Sequence, residues 1–454
     1  LKTVYSYTHP SLQTNSIFKN FGYYRLISYI IKLQSAKSFL KKLRVQEVFN
    51  KVMSRPRAVI SDQILFNECI STFRPQKIDI KEDQEYIGYL LLDFHLNETL
   101  NFRHFSIEPS IKVEVSWIRS AFISPVKLPK WFEWTDHPHL FSIALAAVFS
   151  FASGRPVKAP RDLITLSSTE QLDETSRKDI AVQFPVVTAG TGAHNVNISS
   201  MELNDLYKNL QETIDILFNL SYKQYTLAMQ TIRLVHLAHM NKRDDFGLAY
   251  YLLVSSLETF STAAIKKSRV SPNTNPDEEK WKRISEENNG DFAELFNEYI
   301  AMKKKDKLIG KRFIEFILEY CPPKEWNKLK HPNERMEESL EEQFGYKRRE
   351  VKKHWSEKYP EDLTDDEIRK LLKDLYTYRS NFTHRGENPP YRDTDDKINK
   401  FFLEETIYKK QLLEEIEIEV PEDILLPNYS LISFIANQAI TKYLKKKLQN
   451  QKKT

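Results

Sequence analysis

At Met201 the apolar residues of this chain change their spacing, and that change most restricts the folds open to it. Upstream, Ile111-Lys-Val-Glu-Val-Ser-Trp117 alternates with a period of two, and Tyr86-Ile-Gly-Tyr-Leu-Leu-Leu92 is enriched in aromatic and branched side chains. Prolines at 109, 125, 129, 138, 156 and 160 cut this region into short pieces, and Leu140–Ser153 is the one helix expected in it. Downstream, Leu203, Leu206, Leu210, Ile214 and Leu217 recur on successive helical turns, as do Ile232 and Leu237 further along. The expected class is therefore α+β: a β-containing N-terminal domain followed by an all-α helical bundle that carries a helical insertion. The divisions read as a basic extension over 1–57, a mixed β/α domain over 58–200, and a helical domain over 201–450 with a charged insertion at about 266–360.

Within the helical part, residues 200 to about 240 read as one long amphipathic helix. Asp244 or Asp245 can cap the next, Phe246 to about Ile265, which is apolar on most sides and so expected at the centre. The insertion opens on the loop-forming Ser271-Pro-Asn-Thr-Asn-Pro276, and helices are expected near 279–303, 308–320 and 336–355. Thr364-Asp-Asp-Glu367 is a capping-box sequence that starts a further helix, and Gly386 with Pro389-Pro390 ends it. Two more helices are expected, around 396–416 and 429–448.

Composition removes several classes of function. Only ten glycines occur in 454 residues, against ~7% in average proteins, and neither G-x-G-x-x-G nor G-x-x-x-x-G-K-[ST] is present. Gly190-Thr-Gly192 reads as a loop. Cys69 and Cys321 are the only cysteines and form no C-x-x-C pair, which argues against a disulfide scaffold or a cysteine zinc site and for a reducing, cytoplasmic setting. The longest apolar run, Leu140–Ala152, is too short for a bilayer of ~30 Å, so no membrane span is expected. His236 and His239 stand three apart and His137-Pro-His139 two apart, but without acidic or cysteine ligands at helical spacing they read as ordinary histidines. The acidic pairs Asp365-Asp366 and Glu414-Glu415 read as caps and solvated faces. No metal or other cofactor is expected.

Charge is unevenly spread. Residues 1–57 hold eleven Lys and Arg against one acid, Glu47, and residues 442–454 add six lysines without an acid. Such segments suit nucleic acid or anionic surfaces, and equally suit nothing beyond solubility. The acid-poor start also has the look of a transit peptide, and Met53-Ser-Arg-Pro-Arg looks like a natural beginning.

The residues best suited to chemistry lie at the end of the capped helix. Ile368, Leu371, Leu372, Leu375, Tyr378 and Phe382 form one apolar stripe, and at 100° per residue Arg379 falls about 20° from Ile368, inside it. An arginine there needs a partner or an interface. His384 falls about 160° from Ile368, so the two share a face only if the last turn unwinds or a second copy contributes. Arginine is permanently cationic and suits phosphate, whereas histidine exchanges a proton near neutrality. Arg349 to His354 repeats the spacing and Arg233 to His239 nearly does, reading as exposed charge and a helix face. Glu258, in an otherwise apolar helix, could pair with Arg379.

Tyr378-Arg-Ser-Asn-Phe-Thr-His-Arg-Gly386, with the apolar Leu253-Val-Ser-Ser-Leu-Glu-Thr-Phe260 far upstream, resembles the HEPN superfamily, in its Apea-like form, over about 201–450. The resemblance implies an α-helical bundle whose R-x4–6-H motif cuts RNA without metal across a homodimer. Arg379 and His384 then take the catalytic roles, Asn381 or Ser380 the accessory polar role, and Glu258 and Tyr378 supporting roles. Arg385, between the histidine and Gly386, departs from the commonest Apea-like pattern. The implied setting is antiviral defence or a toxin-like response, with RNA as partner and residues 58–200 receiving a trigger ligand or protein. The rival reading is a non-catalytic HEPN scaffold that binds RNA or protein. If residues 1–52 are a dispensable extension, a chain beginning at Met53 folds, with a cooperative thermal transition followed by circular dichroism; loss of that transition contradicts the expectation.

Overall fold

The computed structural model describes residues 62–75, 86–116, 119–129, 131, 138–160, 172–183, 185–186, 196–272, 275–287, 290–330, 332–350, 357–386, 399–413 and 416–451. Contacts divide the chain into two compact units, Leu1–Leu65 and Phe66–Thr454. The elements below belong to the second unit, apart from the first residues of helix α1 (Asp62–Phe73). The basic extension, Met53, Gly190-Thr-Gly192, His137, His354 and Glu414-Glu415 lie outside the described residues.

The chain is α+β. Strands β1 (Ile87–Leu92), β2 (Leu100–Asn101), β3 (Ser106–Ile107), β4 (Ile111–Ser116), β5 (Arg119–Lys127) and β6 (Val157–Lys158) form an antiparallel sheet in the order β2-β3-β5-β1-β6, with β4 also on β5. Strand β5 is long enough to serve β4 through Arg119–Ile123, and β1 and β3 further on. Alternation places Tyr89, Leu91, Val113, Ala121 and Ile123 on one face, where they pack with Ile180 and Ala181 of helix α3 (Glu174–Gln183). Helix α2 (Pro138–Ser153) packs on β1 and β6, and a methyl group on Gly88 would meet the Ser142 hydroxyl at 2.1 Å. A side chain there would require the Ser142 hydroxyl to turn away.

Helix α2 also packs against α4 (Ser200–Asn219) and α5 (Tyr222–Asn241), so it joins the sheet to the helices. Helix α6 (Phe246–Ala264) is packed by α5, by α9 (Ile309–Tyr320), by α11 (Asp365–Arg385) and by α12 (Tyr429–Gln451). Its Ala249, Tyr250, Leu253, Val254, Leu257 and Phe260 are buried, each large side chain worth about 1.5–3 kcal/mol. Both ends are closed: Asp245 accepts from the Leu248 amide at 2.9 Å, and Arg312 of α9 donates to the Ile265 carbonyl at 2.7 Å and to that of Thr262.

Several elements differ from the sequence expectation. The long helix of 200–240 is two, because Leu220 and Ser221 adopt extended backbone; Leu220 is buried, and its carbonyl accepts from Arg74 at 3.0 Å. The insertion's first helix is also two, α7 (Glu278–Glu287) and α8 (Asp291–Lys305), with Gly290 at the second one's N-cap. Helix α10 (Pro332–Phe344) stops well before 355, at Gly345 with φ +66°. Helices α1 and α3 were not expected in the N-terminal part.

The largest correction concerns 396–416. In place of a helix, β7 (Phe402–Leu413) pairs with β8 (Ile416–Pro427) in a two-stranded antiparallel ribbon, so the region after 201 is not all-α. Ile416-Glu-Ile-Glu-Val420 alternates with period two, a strand signal that the expected helix left out of account.

A buried ion pair stitches the junction of sheet and helices. Arg155 Nε meets Asp93 Oδ1 at 2.9 Å with both side chains over 95% covered, and the guanidinium lies 4.9 Å from the Phe94 ring centre. Glu202 of α4 reaches Arg155 Nη1 and Arg335 of α10 at 3.6 Å each. Asp93→Ala would take from the buried arginine its nearer and better-made carboxylate and is expected to cost about 3 kcal/mol, measured by chemical denaturation.

Candidate functional site

Helix α11 begins with its capping box closed: Thr364 Oγ1 accepts from the Glu367 amide at 3.3 Å, and the Thr364 amide donates to Glu367 Oε2 at 2.8 Å. The Thr364 amide and hydroxyl, both donating to the Glu367 carboxylate, hold it below its ordinary range. Acids in the first turn and His384 and Arg385 in the last complement the helix dipole. At the far end Gly386 takes φ +69° and donates its amide to the Phe382 carbonyl at 3.1 Å. Pro389 and Pro390 lie outside the described residues.

Ile368, Leu371, Leu372 and Leu375 are buried, and the stripe continues through half-buried Tyr378 and Phe382. Arg379 lies in this seam and meets Glu258 of α6, Nε to Oε2 at 3.2 Å and Nη2 to Oε1 at 3.4 Å. Both side chains are about four-fifths covered, at 19% and 18% exposure. The pairing is loose. Charge-assisted N–H···O bonds run ~2.7–2.9 Å, and Nε, although close to Oε2, is too far off line to hydrogen-bond to it. The guanidinium also lies 5.5 Å from the Tyr251 ring centre and 6.0 Å from that of Tyr376.

The seam has a regular construction. Tyr251, Ser255 and Glu258 fall four and three residues apart on α6; Tyr376, Arg379 and Phe382 fall three apart on α11. Tyr251 and Phe382 stack at 5.2 Å and 27°. Tyr376 rests on Phe313 of α9 at 5.4 Å and on Gly310, where a methyl group would press the ring at 3.2 Å. Burial raises the Tyr376 phenol above its ordinary range, and the negative charge of the nearby Glu258 raises it further. Ser255 Oγ is buried and has no hydrogen-bond partner among the described residues.

The structure thus brings Arg379 and Glu258 together, whereas His384 stands apart. His384 is exposed in the last turn and makes no hydrogen bond or ion pair to a described residue. Helix α11 stays regular through Arg385, so the two side chains diverge by about 140° around its axis. The turn does not unwind to unite them. Ser380 is half-buried on the arc between them, half-buried Asn381 falls beyond His384, and Tyr378 lies near buried Tyr250. Tyr251, Ser255 and Tyr376 escaped the sequence reading, although their three- and seven-residue offsets from Glu258 and Arg379 are helical-face signals.

The other candidates have structural surroundings. His239 is buried, with Nδ1 3.2 Å from the Tyr429 hydroxyl and Nε2 3.4 Å from that of Ser433. Arg233 lies over the Phe66 ring, and His139 is buried. Cys69 and Cys321 are buried free thiols, the latter pushed up to about 12 by burial. Among the described residues no group of three or more His, Cys, Asp or Glu is placed to hold a metal ion, and no helix is long and apolar enough to cross a membrane.

Comparisons with protein-family models, with curated proteins and with solved structures give no match for this chain.

The helix that carries Arg379 depends on its first turn. Thr364→Ala is expected to lower stability by about 1 kcal/mol in a denaturant titration, with the dichroism spectrum unchanged.

Proposed function

We propose that this protein is a HEPN-like endoribonuclease that cuts RNA without a metal ion, as a homodimer, in a defence or toxin-like response. The observation that carries the reading is Arg379 itself. A guanidinium largely withdrawn from water, loosely paired and set beside aromatic rings is costly to keep for packing alone. It is well suited to a phosphate, which accepts its forked donors in two parallel bonds.

RNA supplies its own nucleophile in the 2′-hydroxyl. The reaction needs a base for that proton, an acid for the departing 5′-oxygen, and stabilisation of the charge on five-coordinate phosphorus. Exposed His384 serves the proton transfers, an effect of about 10²–10⁴-fold in general acid–base catalysis. Arg379 stabilises the equatorial oxygens, and Ser380 or Asn381 orients the phosphate. One copy places arginine and histidine on divergent faces, and two copies related by a two-fold axis supply two of each. Residues 58–200, with their sheet, act as the sensor. In the competing reading the same helix binds RNA or protein without cutting.

Purified protein is expected to cleave transfer RNA in EDTA and leave 2′,3′-cyclic phosphate ends, and to elute at twice the chain mass in light scattering. Arg379→Ala and His384→Ala should each reduce cleavage at least a hundredfold with folding retained. Intact RNA with binding preserved in both variants would favour the scaffold, and an active monomer would remove the shared site.

A further inference from the structure

Glu258 engages the two arginine donors, Nε and Nη2, that would grip two oxygens of a phosphodiester. Its carboxylate therefore sits where the phosphate would sit. We propose that Glu258 is a displaceable counter-ion that keeps Arg379 occupied in the RNA-free protein and leaves it when a phosphate arrives. This inference rests on the reading of Arg379 as a phosphate ligand and adds the residue that sets its availability.

Three features of the seam support exchange over a permanent structural pair. The contacts are long, and one of the two is misaligned, so the pair forgoes much of what a well-made bidentate bridge gains. About one-fifth of each side chain remains exposed, which leaves a route for an anion. Glu258 also has other donors once the arginine turns away. The Tyr376 phenol stands close enough to feel its carboxylate, and Ser255, one turn earlier on α6, has an unengaged buried hydroxyl. The carboxylate can then rest on two hydroxyls while the guanidinium, steered by the Tyr251 ring, turns toward the RNA. Each of the two arrangements gives the carboxylate a partner, as a two-state element requires.

The consequence is a sign opposite to that of a supporting residue. If Glu258 merely positioned Arg379, neutralising it would weaken RNA binding; as a competitor, its neutralisation strengthens binding. The test measures fluorescence anisotropy of a labelled single-stranded RNA oligomer on the full chain, in a His384→Ala background so that cleavage does not intrude. Glu258→Gln is expected to tighten the RNA Kd about tenfold, equivalent to about 1.4 kcal/mol. Glu258→Asp, which keeps the charge but retracts it, should give a smaller gain and covers the case in which the glutamine variant does not fold. Adding Arg379→Ala should abolish the gain. Unchanged or weaker binding in the folded variants would overturn the proposal. So would a gain that survives Arg379→Ala, since that would be general charge removal, and so would the absence of RNA binding in every variant. The nuclease reading fails separately: it falls if no RNA is cut, whatever the binding result, and it stands if wild-type protein cuts RNA while Glu258→Gln binds it no better.

Discussion

Burial of helix α6 on several sides is the constraint on which the rest depends. With α5, α9, α11 and α12 against it, nearly every position must be apolar, and Leu253, Val254, Leu257 and Phe260 meet that demand. The caps at Asp245 and from Arg312 close its ends, because backbone groups left open there would lose water without replacement. Glu258 is an ionisable side chain on the face toward α11, a setting in which a carboxylate needs a partner. Arg379 is the partner that α11 supplies. The site is thus an exception the core tolerates only because its two charges come together.

That exception sits on a rigid support. Helix α11 is capped at both ends and anchored by four buried aliphatic side chains, and Tyr376 is pinned between α9 and the seam. Nothing comparable holds His384, which projects from the last turn into solvent. The asymmetry suits the proposed site divided between copies, in which Arg379 would be held by its own fold and His384 offered to a second copy.

Legibility followed the strength of local signals. The strands at 86–92 and 111–116, the central helix and the capping box were visible because each is written in adjacent residues: alternation, an apolar run, and a threonine three residues before a glutamate. The break at Leu220-Ser221 was invisible because both residues are compatible with a helix. What stabilises the turn is burial of Leu220 and a hydrogen bond from Arg74, 146 residues distant. The ribbon at 402–427 was missed where a helix was expected over 396–416, although its second strand alternates cleanly. Tyr251 and Tyr376 each lie on a helical face whose role appears only when the two helices meet.

By itself the sequence determined the α+β class, the central helix, the capped helix, and an arginine set within its apolar stripe. Those follow from periodicity and capping, which act over a few residues. The tertiary structure alone decided which carboxylate answers that arginine, how loosely it does so, and which rings surround it. It also decided that the helix stays wound through Arg385, so that Arg379 and His384 face apart. The reason is physical: a buried charge takes its partner from whatever the fold brings against it, and here α6 and α11 meet across more than a hundred residues of intervening chain.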